Sequence, residues 1–385
     1  MQYTTTSVHP PPAFDWQSRT RIVFGPGVLA RVGELASELG GRRVLLVTDR
    51  GIVAAGHVER AQNALQAAGL SVSIDDEVRE NPTTADVARC VEIARESQAD
   101  LLIGLGGGSS MDTAKGCNFI LTNGGEMKDY WGVGKATRPM LPLIAIPTTA
   151  GTGSECQSAA LIADEKTHQK MACLDPKAAA RIAILDPELT LSQPQGVTAC
   201  TGIDALAHAV ETAVTRKRTA FSSIFSREAF RLCNSAYPRV LSDPGNLIAR
   251  TEMQLGAAYA GLAIEYSMLG AAHSAANPLT AHHGVVHGQA VGLVLPSVIR
   301  FNASDAGARI AYEDLCHVAG LRDPEHLAAR IEELLSLAGL NARLSDFGVS
   351  NIAALSEEAA RQWTATFNPR TIGAADFARL YEDLF

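Results

Sequence analysis

Asp204 and His208 stand four residues apart in TGIDALAHAVET, a stretch with helical periodicity. That spacing puts both side chains on one helix face, a turn apart. Farther along, His273 and His287 lie fourteen residues apart in AAHSAANPLTAHHGVVHGQ, with His282 and His283 between them. Carboxylate and imidazole are suitable ligands for iron(II) or zinc, and a catalytic metal keeps one position open for substrate. The plainer alternatives are a hydrogen bond along the helix surface and ordinary core or surface histidines. Five of the ten histidines fall in these two segments, which concentrates the chemistry there without choosing the ligands.

A second set of residues suits a phosphate. In GLGGGSSMDTAK (104–115), Gly106, Gly107 and Gly108 let the backbone approach a diphosphate where a Cβ would block it. Ser109 and the N–H groups at the start of the following helix then face the anion, with the helix dipole in support. The sequence is neither GxGxxG nor GxxxxGK(S/T), so both common nucleotide fingerprints fail, and a tight structural turn is the alternative. IPTTAGTGSE (146–155) also follows an apolar run. Its Thr148, Thr149, Thr152 and Ser154 offer hydroxyls to a ribose, an amide or phosphate oxygens, or simply make a loop. Asp49 ends RVLLVTD, the natural place for an acceptor of an adenosine ribose hydroxyl. A carboxylate there repels a 2′-phosphate and favours NAD over NADP, while Arg50 beside it pulls the other way.

These groups need a scaffold. RVLLVTD (43–49), LSVSI (70–74), DLLIGLG (100–106), LPLIAIPTT (141–149) and RIAILDP (181–187) read as strands, and VERAQNALQAAGL and TADVARCVEIARESQAD as helices between them. Strand, helix, strand at this spacing predicts a largely parallel sheet with helices on its faces. Residues 158–174 hold two short apolar runs about DEKTHQ, which predicts a hairpin attached to that sheet. From about Gln195 the sequence turns Ala- and Leu-rich with a 3.6-residue period, as in PEHLAARIEELLSLAG, and few credible strands follow. The expected organisation is an α/β domain over 1–190 and an all-helical domain over 191–385. Residues 1–15, with three consecutive prolines, are expected to form an extended arm.

Composition narrows the class. Hydrophobic residues make up 46% and charged residues 19% of 385, which supports sizeable cores rather than a disordered chain. Thirty-three basic against forty-one acidic side chains leave a formal charge of −8, which argues against a nucleic-acid or anionic-membrane binder. No apolar run reaches the length of about 18 that a membrane span needs, and MQYTTTSVHPPPAFDW lacks the basic and apolar regions of a secretory signal. Seven scattered cysteines without a CxxC pair read as reduced thiols in a cytosol. The expectation is a soluble cytoplasmic enzyme.

From about Phe24 to the C-terminus, GGGSSMDTAK, PTTAGTGSE, DEKTHQK, ILDPELT, TGIDALAHAVE and H-x13-H-G, in that order, resemble the iron-containing (group III) alcohol dehydrogenase family. The resemblance implies an α/β N-terminal dinucleotide-binding domain plus an all-helical C-terminal metal-binding domain, the dehydroquinate synthase-like fold, with the active site in the cleft between. It implies Asp204, His208, His273 and His287 as ligands of Fe2+, with Zn2+ the other metal such a set accepts. It puts NAD against Asp49, Asn81, Gly107, Gly108, Ser109, Asp112, Thr148, Thr149, Thr152 and Lys170. It also implies a homodimer or larger homo-oligomer. The reaction so implied is hydride transfer between a small or primary alcohol, or its aldehyde, and NAD(H), with the alcohol oxygen at the open metal position.

The chain departs from the family pattern at Asn277, where many members carry a histidine thought to relay a proton; an amide hydrogen-bonds but does not titrate. His282 or His283 is the candidate substitute, and Gln157 stands at another cofactor-side position. Ala258, Leu262 and Phe367 are either cleft-lining residues or ordinary core. The rival reaction is a redox-neutral lyase of the dehydroquinate synthase type, which needs a cationic pocket for a phosphorylated acid; no Lys/Arg cluster adjoins residues 273–287. A metal-free maleylacetate reductase conflicts with the intact ligand set, and a non-catalytic relative rests on Asn277 alone.

Overall fold

The computed structural model of the chain describes residues 16–167 and 169–385, so the arm expected over 1–15 lies outside the described residues. The strands are β1 (Arg21–Phe24), β2 (Arg43–Val47), β3 (Ser71–Asp75), β4 (Leu101–Gly106), β5 (Gly132–Val133), β6 (Leu143–Pro147), β7 (Ala159–Ala163), β8 (Lys170–Leu174) and β9 (Ile182–Leu185). Six of them form one sheet in the order β1-β9-β6-β4-β2-β3, with every neighbouring pair parallel. Three helices come first among the described residues, α1 (Val32–Glu38), α2 (Arg50–Ala54) and α3 (His57–Ala67). On one face of the sheet Leu101, Ile103 and Leu105 of β4 join the apolar residues of α1 and α3. On the other face Leu102 joins those of α4 (Thr84–Glu96) and α5 (Gly108–Asn123). A strand covered on both sides loses its polar alternation, which is why LLIGLG and LIAIP read as plain apolar runs.

Two features depart from expectation. The edge strand β1 is absent from the expected set because RIVF is short and only Val23 in it is buried, so it carries no apolar signature. The hairpin over 158–174 forms, with β7 antiparallel to β8, but it does not attach to the main sheet; it joins β5 in a separate three-stranded sheet. Its inward residues Ala160, Ile162, Met171 and Cys173 pack into the apolar cluster that holds Met111, Ala114 and Cys117 of α5. The hairpin therefore covers α5 face-on instead of extending the sheet's edge.

Among the described residues no strand follows β9. The second half is built from α6 (Gln195–Val214), α7 (Ala220–Ser242), α8 (Leu247–Glu265), α9 (Ala271–His283), α10 (His287–Asn302), α11 (Ala306–Ala319), α12 (Pro324–Leu337), α13 (Ile352–Arg361) and α14 (Ala374–Glu382). α6 is the axis: every residue from Gly202 to Val214 is buried, and α7, α8, α10 and α11 pack around it. No described helix is long and apolar enough to cross a membrane.

The topology already selects a site. β2, β4 and β6 are adjacent and parallel, so Asp49, the glycine loop after Gly106 and the PTTAGTGSE loop all emerge at the same edge. The last of these loops is pressed onto the helical half. A Cβ added at Gly261 of α8 would lie 2.5 Å from the carbonyl oxygen of Gly153, so the two backbones meet where only glycines fit.

Candidate functional site

α6 supplies Asp204 and His208 on one face, α9 brings His273 in its first turn, and α10 opens with His287. The Nε2 atoms of the three imidazoles surround a single carboxylate oxygen, Asp204 Oδ1, at 3.4 Å for His208, 3.5 Å for His273 and 4.0 Å for His287. The His208 and His273 rings stack with centroids 4.9 Å apart. Ligand atoms of Asp204, His208 and His273 all lie within 4.8 Å of one another, and all three residues are buried. His287 stands outside that tight trio, its side chain 31% exposed at the mouth of the cluster. Asp204 Oδ1 and His273 Nε2 are buried without a hydrogen-bond partner, an arrangement that is costly for a protein alone. Two donors bound to one ion at about 2.0–2.2 Å sit about 3–3.5 Å apart, so the observed spacing fits a cation among them.

The protonation states fit as well. Burial raises the Asp204 carboxyl, but His208 and the other two imidazoles outweigh it and hold the group well below the usual carboxylate range. Burial lowers His208, and it lowers His287 to about 3 with help from the Lys170 cation. An anionic carboxylate and neutral imidazoles are the ligand forms a divalent metal requires. His273 differs. Burial opposes its charge, yet Glu211 and Asp204 prevail and hold it up at about 9. Glu211, a residue the sequence reading did not single out, is buried on α6 with Oε2 2.5 Å from His273 Nδ1. Its signal was present: it follows Asp204 by seven residues and so shares the ligand face.

The residues expected to hold a dinucleotide lie on the α/β half, at the edge where β2, β4 and β6 end. Gly106 has φ +150, and a Cβ there would sit 2.4 Å from Ser110 Oγ. Gly107 is the N-cap of α5 and makes no side-chain cap, so the N–H groups of Gly108, Ser109 and Ser110 are not consumed by one. The two loops face each other: Thr148 N donates to Gly106 O at 2.9 Å. A Cβ on Gly107 would meet Thr149 Cγ2 at 3.6 Å, and one on Gly108 would meet Thr152 Cγ2 at 3.0 Å. Asp49 caps α2, its Oδ1 accepting from Ile52 N at 3.1 Å, and its Oδ2 is turned toward Gly106. Arg50 is paired with Glu77 at 2.7 Å, so its charge is already answered.

Asn81 and Lys170 arrive on a shared rim. Asn81 adopts a left-handed backbone, φ 53, in the turn before α4. The backbone of Thr83 bridges to Ala163, and Ala163 pairs in register with Lys170. Lys170 is exposed, within electrostatic reach of Asp204 and His287. Asp112 has a different occupation: Oδ1 accepts from Ser154 Oγ at 2.6 Å and Oδ2 from Leu161 N at 3.1 Å, so its carboxylate ties α5 to the second loop and the hairpin. Lys115, fully buried, reinforces that tie by donating to Ser154 O at 2.6 Å and Ala159 O at 3.0 Å. Beside Ser154, burial pushes the Glu155 carboxyl up to about 7.

The remaining candidates fall away from the chemistry to different degrees. Asn277 lies one turn after His273 on α9, half-buried, its Nδ2 donating to Gln362 Oε1 at 3.1 Å. His282, a candidate substitute, is paired elsewhere: Nε2 lies 2.7 Å from Glu358 Oε2 of α13 on the surface, with the side chain 54% exposed. His283 closes α9, and no described hydrogen bond joins it to the cluster. Gln157 donates to Thr152 O at 2.8 Å and braces the loop. Ala258 and Leu262 are core, packed with Cys156, Ala183 and Leu185 where the halves meet. Phe367 packs against Trp363, with Lys217 Nζ over its ring at 4.7 Å.

Comparison with known proteins gives matches along the chain. A family model described as iron-containing alcohol dehydrogenase matches residues 19–187, and one for the C-terminal part of the same family matches 198–385. The NAD-dependent methanol dehydrogenase of Bacillus methanolicus is 31% identical over 94% of this chain and 97% of its own length. A solved structure of 1,3-propanediol oxidoreductase superposes with a TM-score of 0.93 at 30% identity, covering 97% of this chain and all (100%) of the other. The sulfoacetaldehyde reductase of Bifidobacterium kashiwanohense in complex with NAD+ superposes with a TM-score of 0.89 at 29% identity, covering 97% of this chain and 99% of the other.

Proposed function

Because the chain belongs to the iron-containing alcohol dehydrogenase family, we propose that Asp204, His208, His273 and His287 hold a divalent metal for hydride transfer between a small or primary alcohol, or its aldehyde, and NAD(H). The protein is an NAD-dependent oxidoreductase of the alcohol dehydrogenase type, with an α/β nucleotide half and a helical half. We take residues 1–190 as the NAD-binding unit and 191–385 as the metal and substrate unit. The observation that carries the reading is the single buried oxygen, Asp204 Oδ1, ringed by three Nε2 atoms at 3.4–4.0 Å and without a hydrogen-bond partner.

When bound, the metal supplies a Lewis acid that favours an alkoxide or polarises an aldehyde carbonyl, and NAD supplies the hydride acceptor. The chain's own residues do the rest. The first-turn N–H groups of α5 bind the diphosphate, Asp49 accepts from the ribose, and Thr148, Thr149, Thr152, Asn81 and Lys170 orient the remainder. Burial of Asp204, His208 and His273 keeps water from the ligand atoms. Asn277 Nδ2 donates to Gln362 and takes up no proton, so proton exit uses water rather than a side chain at this position.

Fe2+ is the metal proposed, with Zn2+ acceptable to the same donors. NAD is preferred to NADP because Asp49 stands uncompensated at the ribose position. The seven free cysteines support a reducing cytoplasm, and a homodimer or larger homo-oligomer completes the proposal. The test is NADH consumption by anaerobically iron-loaded protein over short, branched, aromatic and hydroxylated aldehydes. Aldehyde-dependent NADH loss that a chelator abolishes is expected. Bound metal and bound NAD with no net consumption for any aldehyde would instead favour the redox-neutral lyase.

A further inference from the structure

Glu211 is only 3% exposed, a place where a carboxylate is tolerated when its oxygens are paired. Both are. Oε1 accepts from Ala272 N at 2.7 Å, and Oε2 lies 2.5 Å from His273 Nδ1. The rear of the group is closed as well: a Cβ on Gly270 would stand 3.1 Å from Oε1 and 3.2 Å from Asn368 Oδ1. Asn368 is itself locked by a reciprocal amide pair with Asn302, at 3.0 and 2.8 Å. With Nδ1 so committed, the other nitrogen of His273, Nε2, faces Asp204 Oδ1 at 3.5 Å and has no hydrogen-bond partner.

We propose that Glu211 is a positioning residue for the metal site: by accepting the Nδ1 proton of His273 it fixes the tautomer and ring angle, so that Nε2 alone is offered to the ion. The inference rests on the metal reading given above. It also explains why a carboxylate stands there. Two N–H donors, one from Ala272 and one from His273, converge on the group, and only a side chain with two acceptor oxygens meets both. In Glu211→Gln the volume is kept, but one donor must confront an NH2 group.

Metal affinity reads this directly, measured by chelator competition for zinc(II) or cobalt(II) on the full-length, metal-stripped protein. Glu211→Gln is expected to bind about 10–100-fold more weakly than wild type. In a His273→Ala background the same substitution should add less than about 2-fold, because the ring through which it acts is gone. Unchanged affinity, even with a lower melting temperature of the metal-free protein, overturns the proposal, as does an equal loss in both backgrounds. A wild-type protein that binds no divalent metal sinks the metal reading itself, which is a separate result. Should Glu211→Gln fail to fold, zinc-loaded wild-type protein labelled with 15N-histidine decides the matter. A His273 ring protonated at Nδ1 and coordinated at Nε2 is expected; coordination through Nδ1 overturns the inference.

Discussion

Asp49 keeps one carboxylate oxygen on the Ile52 N–H and turns the other toward Gly106, while the neighbouring guanidinium of Arg50 is engaged by Glu77. A 2′-phosphate at this point therefore meets a negative charge, with the neighbouring cation already engaged. Asp49→Asn keeps an oxygen for the helix cap and removes the charge, so kcat/KM for NADP relative to NAD should rise about 10-fold. Steady-state rates with both dinucleotides measure it, and an unchanged ratio would put the ribose elsewhere. A second single-residue question sits at Asn277, one turn from the proposed ligand His273 yet unable to titrate. Asn277→His places an imidazole of ordinary pKa about 6.5 there. The kcat profile of the variant should gain an inflection between about pH 6 and 8 that wild type lacks. Superimposable profiles would mean that position 277 does not communicate with the reacting oxygen.

The turn that carries Asn81 is held by the start of α4, where Thr83 and Asp86 form a capping box and Arg79 and Arg89 both close on Asp86. Burial would raise the Asp86 carboxyl, but the Arg79 bonds, the Thr83 N–H and Arg89 outweigh it and bring the pKa down to about 2. A folded-state value below the unfolded one stabilises the protein above about pH 4, and the contribution is lost as pH falls toward 2. Asp86→Asn should therefore cost about 2 kcal/mol at pH 7, and the gap to wild type should narrow between pH 4 and 2. Urea unfolding at pH 7, 4 and 3 reads it, and a gap independent of pH would assign the loss to packing alone. How much of such elements shows in sequence depends on how local their cause is. β4 and β6 are legible because burial on two faces makes them apolar throughout, and Asp204, His208 and Glu211 share a face by helical spacing alone. β1 is not legible, since it owes its place to β9 some 160 residues later and shows only one buried side chain. The hairpin's partner is equally hidden, because β5 is just Gly132–Val133 and carries no pattern. Glu211 had the spacing, but its role depends on a ring from α9 that no local rule places beside it.

At the scale of the molecule, the four proposed metal ligands belong entirely to the helical half and the proposed nucleotide loops to the α/β half, so on this reading hydride transfer depends on how the halves are held. One contact between them is that of Gly153 with Gly261. Gly153 is left-handed, φ +64, and its loop begins at the end of β6; Gly261 lies on α8, which packs against the α6 that carries Asp204 and His208. A Cβ on Gly261 would stand 2.5 Å from Gly153 O and 2.8 Å from Gly153 Cα, and both atoms are backbone, so no rotamer change relieves the clash. Alanine is the better helix former by up to about 1 kcal/mol, yet an unrelieved overlap costs about 1–3 kcal/mol, so Gly261→Ala should be destabilising on balance. Its functional effect should be selective. The loop that carries Thr148, Thr149 and Thr152 must move away from α8, shifting these proposed cofactor contacts relative to the proposed metal site, while Asp204, His208, His273 and His287 keep their places. Metal affinity should then stay within about 2-fold of wild type, whereas single-turnover hydride transfer should fall at least about 10-fold, since small displacements of reacting groups are costly. Loss of metal affinity together with turnover would mean that the contact braces the ligand helices instead. Unchanged hydride transfer would mean that the cleft takes its width from other contacts between the halves.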